Sequence, residues 1–491
     1  MEINFVISGE AGQGIETASE IASRLLHKAG FNVFTYNEYM SRIRGGCNSL
    51  LIKVGGAPCF SERIDFLLVL DEKAFEHLKD RISDKTVVVD AQKSNVFAIG
   101  YISAFFGLEN VLESLKSDFP KILGDDKNLQ AFEAGFSFSP RWEKVPDRAD
   151  EGELFSGSDA LATGSIAGGA NFIAYYPMSP STNFSAFLTK HADEFNIVSV
   201  QVEDEICAIN MAIGASYAGA RSCVSTAGGG FSLMCEGVSL AGMLEMPVVI
   251  HIGGRPGPAT GLPTRTAQED LNLALYSGHG EFERIIFAPS NLEDAFIIGQ
   301  RAFELTQKYQ VPVFILTDQY FLESSYGVNR PLTPALSHAG KRGLPGFSES
   351  VIYVDSDEHD EKGFITEDFG VRRHNVERRL GKLELIKQDV LKPYFIGDSN
   401  AENLIISWGS NFNVIKAAIE NRKNFALLHF NQVYPLPDIS GYIESKKLII
   451  IENNAKGQFA RLLGLKFEHS FLKYDGMPFS IEEVGRFLDE I

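Results

Sequence analysis

The sequence predicts a three-domain α/β protein. Short, near-continuous apolar runs alternate with longer amphipathic stretches, the pattern of buried strands interleaved with helices. Glycine-rich turns follow several of those runs directly, as strand-to-helix connections do. The length, 491 residues, holds several domains of the usual ~100–200 residues each.

The first domain is expected over residues 1–150. Residues 3–8 read as a strand, 15–29 as an amphipathic helix and 31–36 as a second strand, with 49–54, 66–70 and 86–90 as further strands. Residues 124–155, acidic and aromatic without clear period, read as a linker. The second domain is expected over 158–395, with strands at 171–175, 197–201, 222–225, 248–252 and 311–317. Its Gly/Ala-rich helix at 205–220 suggests close packing of neighbours. A polar excursion from 330 to 394 carries a helix near 376–386. The third domain, 400–491, shows strands at 404–408, 425–430 and 447–452.

An apolar fraction of 44% is ordinary for a globular chain, and no run approaches the ~18 apolar residues of a membrane helix. The opening Met1-Glu2-Ile3-Asn4-Phe5 already reads as a strand with no basic leader, which points to the cytoplasm. A formal charge of −19 disfavours nucleic acid and anionic membranes as partners. It equally disfavours direct docking of a small acidic electron carrier. The cysteines, Cys47, Cys59, Cys207, Cys223 and Cys235, form no C-x-x-C pair. That scatter fits reduced thiols, gives no iron–sulfur site and no metal site on this chain, and leaves Cys207, Cys223 and Cys235 as small apolar residues.

Several segments have the composition of ligand loops. Gly9-Glu10-Ala11-Gly12-Gln13-Gly14 joins the first strand to the first helix, where backbone N–H groups can face an anion. Its spacing is not the G-x-G-x-x-G of dinucleotide sites, and Tyr36-Asn37 gives no ribose-binding acid, so a nicotinamide-dependent dehydrogenase is the weaker reading and a structural turn a strong one. Arg42 and Arg44 beside Gly45-Gly46 suit a phosphate or carboxylate, or an ordinary solvated basic loop. Tyr176-Pro177-Met178-Ser179-Pro180 is a proline-stiffened turn bearing a hydroxyl. Glu203-Asp204-Glu205 stands at a helix start, where acids serve as caps as readily as catalysts. Thr226-Ala227-Gly228-Gly229-Gly230 is a further Gly-rich turn, and 255–264, beginning Arg255-Pro256-Gly257-Pro258, is an Arg-bearing Gly/Pro loop. His251 lies on an apolar strand and reads as a core histidine, and the acidic run 355–361 as a solvated loop before a cation site.

Taken together these segments resemble the 2-oxoacid:ferredoxin oxidoreductases, specifically an alpha subunit with a gamma domain fused at its N-terminus. Gly9–Gly14 with Arg44-Gly45-Gly46 is similar to the gamma domain; Tyr176–Pro180 to the family's Tyr-Pro-x-Thr-Pro motif in the pyrimidine-binding domain; Glu452-Asn453-Asn454 with Gly457-Gln458 to the transketolase C-terminal-like domain. Glu203–Glu205, the 255–266 loop and Asp357–Glu361 also match alpha-subunit patterns.

The resemblance implies oxidative decarboxylation of a 2-oxoacid on thiamine diphosphate, with coenzyme A as acyl acceptor and ferredoxin as electron acceptor. It implies a beta subunit that holds the diphosphate, Mg2+ and an iron–sulfur cluster, in a hetero-oligomer of alpha–beta type, and passes electrons on to ferredoxin. This chain would hold the pyrimidine: Tyr176, Pro177, Gly229, and either Glu205 or, in reserve, Glu203 as the carboxylate on the ring nitrogen. Arg255, Ser179 and Thr260 would hold the 2-oxoacid, and Gly12, Gly14 and Arg44 are the coenzyme A candidates. One departure stands out: Ser179 replaces the family's threonine, keeping the hydroxyl and losing the restraining methyl. The 255–264 loop is more similar to the 2-oxoglutarate branch than to the pyruvate branch, with branched-chain or aromatic 2-oxoacids second. A non-catalytic assembly subunit is the alternative of another class.

Overall fold

The computed structural model describes residues 2–40, 46–91, 94–108, 116–142, 152–328 and 355–491. The chain forms two compact units, one of residues 1–156, 323–331 and 480–491 and one of residues 157–322 and 332–479. No helix among the described residues is long and apolar enough to cross a membrane.

The first unit is built on a seven-stranded mixed sheet. Its order is β5 (Val87–Asp90), β4 (Phe66–Val69), β1 (Ile3–Glu10), β3 (Cys47–Val54), β2 (Val33–Glu38), β13 (Ser324–Val328) and β6 (Glu153–Ser156). Helix α1 (Ile15–Lys28) buries one face, Ile15, Ala18, Ile21, Ala22, Leu25 and Leu26, against it. Phe5 on β1 stacks on Phe66 at 4.9 Å and meets Phe105 edge-on at 5.2 Å, an aromatic centre for this core.

The expected linker contains a helix instead. Residues 126–138 form α3 (Asp126–Phe138), started by Asp125, whose carboxylate accepts from the Lys127 N–H. It lies across α2 (Asn95–Phe105), and a Cβ on Gly100 or on Gly135 would collide with the facing backbone, so both glycines permit the crossing. Sequence period missed it because only Phe132 and Gly135 of α3 are fully buried.

The second unit holds a seven-stranded sheet ordered β17 (Gln432–Tyr434), β11 (Ile285–Phe287), β12 (Val313–Asp318), β10 (Val249–Gly254), β9 (Ser222–Thr226), β7 (Phe172–Tyr175), β8 (Val198–Gln201). All pairs are parallel except β11–β17. The central strands are buried along their whole length, as the unbroken apolar runs require. Helix α6 (Glu205–Tyr217) packs on α7 (Gly228–Leu244). The close packing expected of this helix is present on α7, and it is Gly237 of α7, against Ile209, rather than Gly214 that makes the close approach.

A five-stranded sheet completes this unit: β14 (Tyr394–Gly397), β16 (Phe425–Phe430), β15 (Asn403–Trp408), β18 (Lys447–Glu452), β19 (His469–Leu472). Strand β17, from the C-terminal part of the chain, is the outermost strand of the seven-stranded sheet. The two sheets share one apolar core, which includes Phe314 and the packed Phe231 on one side and Trp408, Phe430 and the packed Phe459 on the other.

The acidic run belongs to a salt-bridged corner. Glu358 pairs with Arg379 at 2.7 Å and Arg372 at 2.8 Å on helix α10 (Phe369–Ile386), and Asp360 accepts from the Lys362 and Phe364 N–H groups. No group of three or more His, Cys, Asp or Glu side chains among the described residues is arranged to hold a metal ion. Of the three cysteines read as buried, Cys223 is buried, its thiol pushed up to about 12 by burial, while Cys207 and Cys235 are half-buried.

Candidate active site

Four neighbouring parallel strands, β10, β9, β7 and β8, carry the four loop motifs at their carboxyl ends. Ligands of open parallel sheets bind at that edge, because the loops there converge while the strands hold them rigidly. The Tyr176–Ser179 turn follows β7, Glu203–Glu205 follows β8, the triple glycine follows β9 and the Arg255 loop follows β10.

The acidic triplet divides its work. Asp204 is the N-cap of α6, its Oδ1 accepting from the Cys207 N–H at 2.7 Å. Glu203 is exposed and lies beside the Cys207 thiol. Glu205, relieved of capping, points inward: it is 3% exposed, and its Oε1 is buried with no hydrogen-bond partner. A Cβ on Gly230 would collide with that oxygen and with Thr226 Oγ1, so glycine at 230 leaves space beside the carboxylate. A buried, unsatisfied carboxylate oxygen costs free energy unless something completes it. An aminopyrimidine ring nitrogen is a fitting complement, and the glycines let a flat ring approach. The residues present therefore suit thiamine diphosphate.

The turn after β7 is held from beneath. Ser181 donates to the Met178 carbonyl at 2.7 Å, and Ser225 reaches the Ser181 carbonyl at 3.4 Å. His251 bridges Ser225 and Thr317 at 2.8 Å on each side, and burial pushes its pKa down to about 3. It is thus a neutral core histidine tying β9, β10 and β12 under the site, as read from the sequence.

Arg255 reaches the turn by a route that sequence did not suggest. Its Nη1 donates to the backbone carbonyl of Ser179 at 2.6 Å, and the Ser179 hydroxyl makes no hydrogen bond among the described residues. The loop folds back through Leu262 N–H to the Pro256 carbonyl and is pinned by Gly257 N–H to Glu269 Oε2 at 2.8 Å. Thr260 lies on its exposed side, and Ala259 brings its carbonyl to 3.6 Å from where a Cβ on Gly229 would stand. Tyr176 is 40% exposed at the same edge.

The C-terminal motif seats that loop rather than touching the cofactor edge. Glu452, wholly buried, accepts from the Phe459 and Ala460 N–H groups and so caps α11 (Gln458–Leu463). Gln458 then grips the 269–272 backbone, donating to the Glu269 carbonyl at 2.7 Å and accepting from Asn272 N–H at 2.8 Å. Gln268 is held by Asn453 and Asn411 at 3.0 and 2.9 Å. Gln268 and Asp270, two residues after it, went unremarked in sequence; their one signal was a second Glu-Asp pair ahead of an apolar helix.

The glycine turn of the first unit is a well-tied turn. Gly12 and Gly14 have positive φ, Gly14 begins α1 with no side-chain cap, and Asn95 donates to the Gly14 carbonyl at 2.9 Å. Glu10 N–H is shared by Gln13 and Asp71. Its described rim is acidic, and Arg44 lies outside the described residues.

A family model for pyruvate flavodoxin/ferredoxin oxidoreductase, thiamine-diphosphate-binding, matches residues 163–377, and one for pyruvate ferredoxin/flavodoxin oxidoreductase matches 4–94. The 2-oxoacid:ferredoxin oxidoreductase subunit alpha of a Sulfolobus species is 30% identical across all of this chain and 97% of its own length. The chain belongs to the alpha subunits of the 2-oxoacid:ferredoxin oxidoreductases. A 2-oxoglutarate synthase subunit from Archaeoglobus fulgidus is 29% identical over 63% of the chain and 90% of that subunit. Among solved structures, the 2-oxoglutarate:ferredoxin oxidoreductase of Magnetococcus marinus, with 2-oxoglutarate, coenzyme A and succinyl-CoA bound, superimposes with a TM-score of 0.88. It covers 100% of this chain and 99% of its own at 24% identity, a likeness of fold. The alpha subunit is thus one part of a thiamine-diphosphate-dependent, multi-subunit oxidoreductase, and its pyrimidine-binding domain is the one with the Glu205 edge.

Proposed function

We propose that this alpha subunit serves an oxidoreductase that converts 2-oxoglutarate and coenzyme A to succinyl-CoA and CO2 while reducing ferredoxin. The observation that carries the reading is the buried Glu205 oxygen without a partner, set beside Gly230 at the carboxyl edge of the sheet. Bound thiamine diphosphate supplies the nucleophilic carbon and the electron sink for decarboxylation. Glu205 Oε1 holds the proton on the ring nitrogen that sets the cofactor's active tautomer. Tyr176 and Pro177 wall the ring, and Gly229 leaves its approach open. Arg255 pairs with the 2-oxoacid carboxylate while still tied to the Ser179 carbonyl, so the clamp and the turn move as one piece. Ser179 and Thr260 present hydroxyls to the same substrate.

The choice of 2-oxoglutarate is supported by the 2-oxoglutarate synthase relatives and by the ligands of the Magnetococcus enzyme. The Sulfolobus relatives carry the broader 2-oxoacid designation, so branched-chain and aromatic 2-oxoacids are the second reading. A beta subunit would supply the diphosphate and Mg2+ site and the iron–sulfur cluster, and would pass electrons to ferredoxin. Beside Glu205, α6 and α7 leave Ile206, Met211, Tyr217 and Leu233 exposed, apolar surface suited to that subunit. Gly12, Gly14 and Arg44 remain the coenzyme A candidates.

The test is co-purification with the native partner, followed by coenzyme-A-dependent viologen reduction over a panel of 2-oxoacids. Highest kcat/KM with 2-oxoglutarate supports the proposal; a preference for 2-oxoisovalerate, indolepyruvate or pyruvate reassigns the substrate. A stable complex inactive on every 2-oxoacid favours an assembly subunit.

A further inference from the structure

The Arg255 loop ends at a second acidic pair, Glu269-Asp270, where α8 (Leu271–Tyr276) begins. Glu269 is occupied with the Gly257 N–H. Asp270 is not occupied. Its Oδ2 is buried with no hydrogen-bond partner among the described residues, and a Cβ on Gly228 would collide with its carboxylate. It lines a cleft with Gly254, Gln268, Asp318, Trp408 and Ser410. Asp318 in that cleft is fully engaged, by Ser410 Oγ and by the Phe321 N–H at 2.8 Å. Asp270 is therefore the unassigned carboxylate of the site.

We propose that Asp270 is a positioning residue that acts through Arg255 and sets how strongly the site holds an anionic substrate. The proposal rests on the reading of Arg255 as the residue that pairs with the 2-oxoacid carboxylate. Asp270 adjoins Glu269, which pins the Arg255 loop through the Gly257 N–H, and the Arg255 charge acts on it; an ionised Asp270 in turn cancels part of that field and repels an incoming carboxylate. A neutral Asp270 leaves Arg255 its full charge. By reciprocity, a bound anion must favour the neutral form of Asp270 by the same factor.

The surroundings make this switchable near neutrality. Burial pushes Asp270 up to about 6, Glu269 adds to the rise, and Arg255 opposes it. From the packed elements, the start of α7 contributes only Ala227, three glycines and Phe231, and the 408–410 turn contributes no charge. The end of β12 contributes Asp318, itself raised by burial, and α11 presents Gln458.

The experiment uses the co-purified complex from about pH 5.5 to about pH 8, a range in which 2-oxoacids stay anionic. KM and kcat for the preferred 2-oxoacid are measured with calorimetric binding of an acylphosphonate monomethyl ester, an analogue that is not turned over and keeps a single negative phosphonate charge across the range. In the wild-type complex, KM and the analogue's Kd should rise roughly tenfold as Asp270 ionises. Asp270→Asn should hold both low and flat across the range, with the pH profile of kcat unchanged. Asp270→Asn that retains the wild-type rise overturns the proposal. So does a wild-type affinity independent of pH, which needs no variant and stands even if Asp270→Asn fails to assemble. Absence of both turnover and analogue binding at every pH would instead remove the assignment of substrate.

Discussion

Glu203 and Glu205 are alike in charge and two residues apart, and spacing alone left either as the carboxylate on the cofactor. Burial separates them: one is exposed beside a thiol, the other is enclosed with an oxygen that nothing among the described residues satisfies. Glu205→Gln should leave assembly intact and lower kcat roughly 100- to 10,000-fold, the usual contribution of such a group, in dye-reduction assays on the complex. Near-normal decarboxylation would move the role to another group. Arg255→Ala removes a charged partner worth ~1.5–3 kcal/mol and should raise KM for the 2-oxoacid by roughly 10- to 150-fold. An unchanged KM would place the substrate carboxylate elsewhere. The residue types of this site were legible in sequence. The Arg255 contact with a carbonyl, and the orphaned Asp270, were not, because both depend on how a loop closes on itself.

At the scale of elements, the strands were the most legible feature, since a buried parallel strand has no option but an apolar run. The short strands β6, β11, β14, β17 and β19 and the helix α3 escaped notice. Their burial is partial or their length too small for a period to show. The start of α7 is a place where an element carries function through missing atoms. Gly230→Ala would set a methyl against Glu205 Oε1 and Thr226 Oγ1. We expect the chain to lose ~1–3 kcal/mol of stability, as for overpacked cores, and thiamine diphosphate affinity to fall with it as Glu205 Oε1 is displaced; thermal melting of the chain and cofactor titration of the complex measure the two effects. The Glu358 corner gives an acid-side prediction. Burial raises its pKa, but hydrogen bonds from Arg379, Arg372 and Asn375 outweigh that and hold it at about 2. A depressed pKa gives stability above the unfolded value near 4.3 that is lost as pH falls toward about 2. Proteolysis within residues 355–386 should therefore speed up across that window, and Glu358→Gln should show the faster rate already at neutral pH.

At the scale of the whole molecule, the proposed function makes the site one half of a surface. Charge of −19 and exposed Ile206, Met211 and Leu233 beside Glu205 point to completion by another subunit. The isolated chain should show no 2-oxoacid-dependent dye reduction, and activity should appear on adding the beta subunit; activity of the chain alone would contradict this. Ferredoxin crosslinks should map to that partner rather than to this acidic chain. The sequence suggested three successive domains, and the chain does hold three sheets. Strand β17 nevertheless completes the sheet that bears the candidate site, and Gln458 secures the end of the Arg255 loop. Such long-range closures leave no local periodicity to read.

The helix α12 (Ile481–Asp489) belongs to the unit that the chain starts with: Ser480 and Glu483 form its capping box, and Glu482 receives hydrogen bonds from Ser61 and the Glu62 N–H. Order of synthesis and order of folding therefore differ. The first unit emerges from the ribosome lacking one strand, β13, and a helix, and must wait, part-built, while the whole second unit is translated. A stop codon placed after residue 479 would spare the later-made unit and injure the earlier one.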